Sequence, residues 1–472
     1  MRRRGVAWLT CLCLAALAVA AFWSPPAACA ATVLRGIDDG PLPTLAPAAR
    51  ARHLHEIRSE LRASVLRVDC QWPLAEPAQG QYSDADASGY LYGLEQTVAD
   101  AHDLGLKVIV TMDYVPKWAS DTRYWDDPPP GYSNGYQTFY PMAAGARVDY
   151  QAFARHLATK LKGEVLGYEA FNEPNLWPHL YPQRTDSDPW FAARLYLKYL
   201  KAFWAGVRAG DPGAQVIAGS TAPTGTNDDY RTAPQTFAAE LKALGAGAYF
   251  DVYAHHPYVP GGSGDMDPGL PPAFPLHTVS LSNIGTLLKI FPKKPFYLTE
   301  YGFSTEPSVA FGAPVTEARQ AAYLTKAYAL AARHAQIKLL VWYLLQDTSP
   351  TGKATSPYGW YLGLRRVSGT AKPAWYAFAR GNHITLSTPP RARRGARISL
   401  RGRYTCASIG GVPGRRLLVE RKVGAGRWRV VRAVTTGAGG AYAARVTLSA
   451  TERLRVVFTG VTTSRQRLVV AR

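Results

Sequence analysis

An eight-fold β/α barrel followed by a small all-β sandwich is the fold class this chain predicts, an α/β architecture that rests on three observations. Strand-like apolar runs alternate with helical stretches from Val33 to Leu345. Composition changes abruptly near residue 384. Two glutamates, Glu173 and Glu300, each stand at the end of an apolar run. At 472 residues and 47% apolar content the chain can bury more core than one ordinary domain needs, so two domains are expected.

Eight runs read as strands: Val33 to Asp38, Val65 to Cys70, Lys107 to Met112, Val165 to Asn172, Val216 to Ser220, Phe250 to His256, Pro295 to Glu300 and Ile337 to Leu345. Their near-continuous apolar character is that of parallel strands buried on both faces. Helical stretches such as Tyr90 to Leu104 and Glu317 to His334 fill the intervals. In a barrel of this kind the chemistry gathers at the C-terminal ends of the strands, where both glutamates fall. The sandwich follows the turn-rich segment Ser387-Thr388-Pro389-Pro390-Arg391, with Leu417 to Glu420, Trp428 to Val431 and Leu454 to Phe458 as strands between Gly-rich turns. The expected organisation is 1–30 export signal, 31–383 barrel, 384–472 basic sandwich.

The export signal is read from Arg2-Arg3-Arg4, the apolar stretch Val6 to Trp23, and Ala28-Cys29-Ala30, whose small residues suit cleavage before Ala31. Secretion is the expected outcome, with no transmembrane segment after cleavage. Lipid anchoring through Cys29 is the weaker alternative, because Pro26 stands where such a signal wants leucine. Cleavage removes Cys11, Cys13 and Cys29, and the two cysteines left, Cys70 and Cys406, read as inert thiols in different domains.

A net charge of +20 suggests nucleic acid until it is divided along the chain. Residues 384–472 hold 19 Lys or Arg against Glu420 and Glu452, whereas residues 31–383 hold 32 basic and 32 acidic side chains. The barrel is neutral, and the tail carries no recognition helix or aromatic nucleic-acid-binding strand, so nucleic acid is not an expected partner. An acidic glycan or an anionic cell-envelope surface is the partner such a tail could attract, with arginine-rich background composition as the competing explanation.

Hydrolysing a glycosidic bond takes one carboxyl group to protonate the leaving oxygen and another to attack the sugar or activate water. Singly, either glutamate could cap a helix or pair with an arginine. Together, Asn172-Glu173-Pro174 after the fourth strand and Thr299-Glu300-Tyr301-Gly302 after the seventh resemble the acid/base and nucleophile motifs of clan A glycoside hydrolases, which are retaining enzymes on (β/α)8 barrels. The resemblance covers about residues 32–383 and looks closest to family 39, with family 5 beside it. The tail's spacing of Gly, Trp, Val and Gly-x-Tyr resembles bacterial immunoglobulin-like modules.

The resemblance implies further roles. Asn172 would bond the sugar 2-hydroxyl. In His256-x-Tyr258 the tyrosine would orient the nucleophile and the histidine would contact substrate, with His255 competing for that register. Arg67, alternating with Asp69, would keep Glu300 ionised, a structural salt bridge being the competing reading, and Trp342 would floor a sugar subsite, with core packing as its alternative. Trp118, in the long aromatic loop Tyr114 to Tyr150, and Trp177 would extend a stacking wall, core packing being the alternative for each. Neighbouring strand side chains point to opposite faces, so His255 and His256 should not share an ion, and neither metal nor cofactor is expected. The implied activity is a secreted retaining β-glycosidase acting on a carbohydrate by double displacement, with its carboxyls about 5 to 5.5 Å apart and the Glu173 pKa raised by apolar surroundings and by Glu300. A catalytically idle barrel that binds envelope glycan is the alternative.

Overall fold

The computed structural model describes residues 33–260, 266–307, 313–350, 359–407 and 409–472. The export signal lies outside the described residues. Ala31–Arg472 forms one compact unit. Eight parallel strands close into a barrel in chain order: β1 (Leu34–Asp38), β2 (Val65–Gln71), β3 (Lys107–Asp113), β4 (Val165–Ala170), β5 (Gln215–Thr221), β6 (Val252–His255), β7 (Phe296–Leu298) and β8 (Ile337–Tyr343). Around them run α1 (Pro47–His55), α2 (Trp72–Ala75), α3 (Tyr90–Asp103), α4 (Ala146–Lys160), α5 (Phe191–Gly210), α6 (Pro234–Ala243), α7 (Gly285–Leu288), α8 (Glu317–Ala331) and α9 (Pro373–Ala379).

Strand alternation sorts the side chains into two cores. Val65, Ile109, Ile217, Val252, Ala254, Tyr297, Leu339 and Val341 fill the barrel interior, while the alternate residues pack against the helices. One pleat further up, the inward positions turn polar, with Asp38, Arg67, Thr111 and Glu169 lying above the apolar plug. Such a layer at the strand C-termini is where a barrel keeps its chemistry.

The tail forms two further sheets. One has the order β10 (Arg391–Ala392), β18 (Arg467–Ala471), β16 (Glu452–Phe458), β13 (Arg416–Val423) and β14 (Arg429–Thr435), with β17 (Thr462–Thr463) on β16; the other joins β12 (Gly410–Gly411), β11 (Arg397–Cys406) and β15 (Ala441–Thr447), with β9 (Asn382–Ile384) on β11. Alternate residues of β11 and β15 are buried, as sandwich strands require.

These sheets are seated on the barrel. On α9, Tyr376 meets Tyr404 edge-on at 6.0 Å and lies 5.9 Å from Phe458, and the Arg415 guanidinium lies 5.3 Å above the same ring. The turn-rich segment after residue 386 is not a free tether: Ser387 and Arg401 exchange both backbone hydrogen bonds, laying that stretch along β11. Cys70 and Cys406 are both buried and neither is disulfide-bonded. Among the described residues no helix is long and apolar enough to cross a membrane.

Candidate active site

The site is assembled around Arg67, which the alternation of β2 turns inward and which is 1% exposed. Its Nη1 donates to Asp38 Oδ2 at 2.7 Å and to Glu300 Oε1 at 2.9 Å, its Nε to Glu169 Oε2 at 2.8 Å, and its Nη2 to Asn172 Oδ1 at 2.8 Å. One guanidinium thus serves the ends of β1, β4 and β7. Glu169 also accepts the Thr111 and Ser220 hydroxyls, each at 2.6 Å. Burial pushes its carboxyl up, but Arg67, His256 and those hydroxyls outweigh burial and hold it below the usual range. Asp38 goes the other way: burial raises it far above the usual carboxylate range, against the pull of Arg67, with Asp69 and Glu300 adding to the rise.

Backbone strain delivers the β4 end. Phe171 and Glu173 sit at φ 64° and 38°, in the left-handed region that non-glycine residues rarely enter, and they fold the chain back across the mouth. On β5 the register shifts between Ala218 and Thr221, with Gly219 at φ 94° and Ser220 at φ 42°, which turns the Ser220 hydroxyl onto Glu169.

Glu173 and Glu300 meet across this layer. Their nearest ligand-type atoms and one from His256 all lie within 4.8 Å of one another. Tyr258 donates its hydroxyl to Glu300 Oε2 at 3.0 Å, so each oxygen of Glu300 has a donor, one from Tyr258 and one from Arg67. A guanidinium already bound to that carboxylate makes the trio a poor cation site. His256 Nδ1 lies 3.0 Å from Glu173 Oε1 and its Nε2 3.1 Å from Thr299 Oγ1. His255 points away, to Thr221 Oγ1 and the Val279 carbonyl, both at 2.9 Å, which places His256 in the site register.

Four expectations need correcting. His256 is wholly buried, so it acts on Glu173 rather than touching a sugar. Trp342 is also wholly buried: Val341 and Tyr343 take the inward positions of β8, leaving Trp342 between Tyr301 and Phe303 in the helix-facing core, its indole N–H on the Leu362 carbonyl at 3.0 Å. Tyr343, partly buried, its phenol pushed up first by burial and then by Glu300, is the β8 aromatic at the mouth. Trp118 packs edge-on against Trp72 at 5.5 Å and donates to the Glu76 carbonyl at 3.0 Å, a packing role. The Glu173 carboxyl is held below the usual range, not above it: burial pushes it up, but the His256 hydrogen bond and the charges of His256, His179 and Arg67 outweigh that.

Trp177 lies in an aromatic cluster, edge-on to Tyr132 at 5.3 Å and Phe139 at 5.6 Å. The loop after β3 and the loop after Glu173 therefore share one wall. Sequence reasoning passed over His179 in that second loop. Its Nδ1 is 2.9 Å from Asp113 Oδ2, its Nε2 is 3.3 Å from Asn172 Nδ2 and 3.9 Å from Glu173 Oε2, and its ring stacks on Tyr114 at 5.8 Å. Burial pushes the imidazole pKa down, but Asp113, with Glu173 and Glu300, holds it above the ordinary value of 6.5. Glu169, Asp38 and Asp113 were equally missed, although each occupies an inward strand position that alternation could have flagged.

Opposed carboxyls in a polar layer closing a (β/α)8 barrel define a hydrolase of the glycosidic-bond type. The model of the cellulase family, glycosyl hydrolase family 5, matches residues 43–347, and the chain belongs to that family. It is an O-glycosyl hydrolase, and of the two clan A families its motifs resemble, family 5 is the one matched. Among solved structures it is similar to the GH5_18 of Streptomyces cattleya in complex with GlcNAc, at 17% identity over 74% of this chain and 79% of that one, TM-score 0.53. A variant of that enzyme in complex with Manβ1-4GlcNAc gives 16% identity over 77% and 84%, TM-score 0.54, and a GH5_18 from Bifidobacterium longum subsp. infantis gives 16% over 76% and 84%, TM-score 0.52. At these identities the likeness is one of fold. No curated protein matches the chain.

Proposed function

We propose that the protein is an exported retaining β-glycosidase in which Glu300 is the nucleophile and Glu173 the acid/base. The observation that carries this reading is that one oxygen of the Glu173 carboxyl lies within 4.8 Å of one oxygen of Glu300, the close opposition across a bound anomeric carbon that double displacement uses. Glu300, held by Arg67 and Tyr258, attacks the anomeric carbon as the glycosidic C–O bond breaks and Glu173 gives a proton to the departing oxygen. Water then enters, loses a proton to Glu173, and displaces Glu300 from the sugar.

The low proton affinity of Glu173 in the open site bears on the first step. A bound sugar excludes water from that carboxyl, and the desolvation favours its protonated form as the acid of the first step. Asn172, anchored by Arg67, is left to meet the sugar 2-hydroxyl, and the Tyr132–Phe139–Trp177 wall to stack on its ring. The Arg2–Trp23 pattern supports export.

The test is reducing-sugar release from β-mannans, β-glucans and xylans, β-mannosides placed first because the Streptomyces cattleya neighbour holds Manβ1-4GlcNAc. Glu300→Gln should lose at least about 10⁴-fold in kcat, and NMR of the first-formed product should show the β anomer. An α product would overturn the retaining mechanism. Polysaccharide retained by the wild type without any release would favour an idle glycan-binding barrel.

A further inference from the structure

The two tail sheets treat charge differently. On the sheet containing β13 and β16 both acidic residues of the tail are used, Glu420 paired with Arg455 at 2.7 Å and Glu452 with Arg421 at 3.3 Å. No aspartate or glutamate lies on β9, β11, β12 or β15. Along β11 the outward positions are Arg397, Ser399, Arg401 and Arg403, all exposed, alternating with buried Ile398 and Leu400. Beside them on β15, Arg445 stands opposite Ser399, and Ala443 and Ala441 stand opposite Arg401 and Arg403. On the other flank Ser387 and Thr385 pair with Arg401 and Arg403, and His383 with Thr405.

Arg445 fills the place left by Ser399, so Arg397, Arg445, Arg401 and Arg403 present one guanidinium for every two-residue step, roughly 6.7 Å, along the strand direction. Among the described residues none of these four side chains is in an ion pair. Small alanines and hydroxyls are their cross-strand neighbours, and the Arg403 guanidinium lies over Gly439. A linear array of planar, always-charged forks beside hydroxyl groups complements a chain that repeats a planar carboxylate, which each fork can grip with two parallel hydrogen bonds.

We propose that the outer face of the β9–β11–β12–β15 sheet docks a linear, carboxylate-bearing polysaccharide, holding the protein on an acidic polymer while the barrel works on its own substrate. Polyuronate is favoured over nucleic acid because the face offers no aromatic platform for bases. It is favoured over a lipid surface because no large apolar side chain projects from its exposed positions.

The experiment uses the full chain and needs no turnover, so it can fail or succeed independently of the catalytic reading. Binding to immobilised polygalacturonate is measured at about 50 mM salt, where surface charges are little screened, with neutral β-1,4-mannan, a DNA duplex and phosphatidylglycerol vesicles in parallel. Replacing Arg397, Arg401, Arg403 and Arg445 together by serine should weaken polygalacturonate binding by about tenfold or more. Replacing four exposed arginines of the other sheet, Arg416, Arg429, Arg432 and Arg453, should change it by less than about threefold. If the first variant melts early, the pair Arg401→Gln and Arg403→Gln takes its place, with about a threefold loss expected. Equal losses in the two sets would reduce the effect to net charge and overturn the proposal. So would absence of binding by the parent, or tighter binding to DNA or vesicles than to polygalacturonate.

Discussion

Arginine does opposite work in the two halves of this molecule. In the barrel mouth Arg67 is buried and each of its three nitrogens donates to a specific acceptor, whereas on the β11 face four exposed arginines have no ion pair among the described residues. Burial makes the first arrangement obligatory, because a guanidinium or a carboxylate without its partner in that layer would carry the full cost of desolvation. Exposure makes the second permissive, since solvated cations cost the fold little and stay available. Equal numbers of basic and acidic groups in the barrel, against a large excess in the tail, are the compositional trace of that division.

The largest effect should come from breaking the buried side. Arg67→Met leaves Glu169 and Glu300 without their cation, and denaturant unfolding should show a loss of about 3–5 kcal/mol along with loss of turnover. A variant within about 1 kcal/mol of the parent would mean that the carboxyls simply take up protons, and that Arg67 is not the keystone of the layer. Next in size is the pair at the end of β8. Trp342→Phe abandons the Leu362 carbonyl and should cost about 1–3 kcal/mol with KM unchanged. Tyr343→Ala should instead raise KM several-fold, since its ring takes the inward position at the end of β8 and keeps partial exposure. The reverse result would restore Trp342 as the sugar platform.

His179 gives a smaller and pH-dependent effect. His179→Gln removes an imidazole that Asp113 holds above its ordinary proton affinity and that accepts from Asn172 Nδ2, and should lower kcat by about tenfold. The same shift has a sign for stability. A histidine whose folded pKa lies above its ordinary 6.5 stabilises the fold fully below that value and loses the contribution as pH rises through the folded pKa. The variant's stability deficit should therefore be larger near pH 6 than near pH 9. A deficit constant across that range would show that His179 only packs against Tyr114.

The barrel was legible because its strands are buried on both faces and read as unbroken apolar runs; every strand was anticipated within a few residues. Glu173, Glu300 and Tyr258 were legible near strand ends with motif partners, and Arg67 by its alternation with Asp69 in β2; the structure brings all four together. Trp342 was misassigned by one position, because an aromatic at a strand end says nothing about its face until the inward register of Leu339 and Val341 is followed to Tyr343. His179 was invisible for a different reason. It belongs to a loop with no periodicity, and only the left-handed turn at Phe171 and Glu173 brings that loop over the mouth to meet Asp113, 66 residues earlier. The rise expected for the Glu173 pKa failed with it, since the expectation counted Glu300 and left out the imidazoles.

The smallest effect tests the exposed side of the comparison with an ion pair that sequence and structure both make look important. Glu420 is one of two acids in the tail, and Arg455, which it accepts at 2.7 Å, also lies 4.2 Å over the Trp428 ring. Both partners keep some solvent contact, 27% for Arg455 and 16% for Glu420, so water supplies much of what the pair would lose. Glu420→Gln should cost about 0.5–1 kcal/mol, because the guanidinium remains on the indole face and finds solvent when its carboxylate goes. Unfolding measured in low and high salt should show that cost shrinking as salt rises, as screening requires of a surface pair. A loss as large as that of Arg67→Met, insensitive to salt, would mean that the tail sheets are held by charge as the barrel mouth is, and the contrast between the two halves would fall.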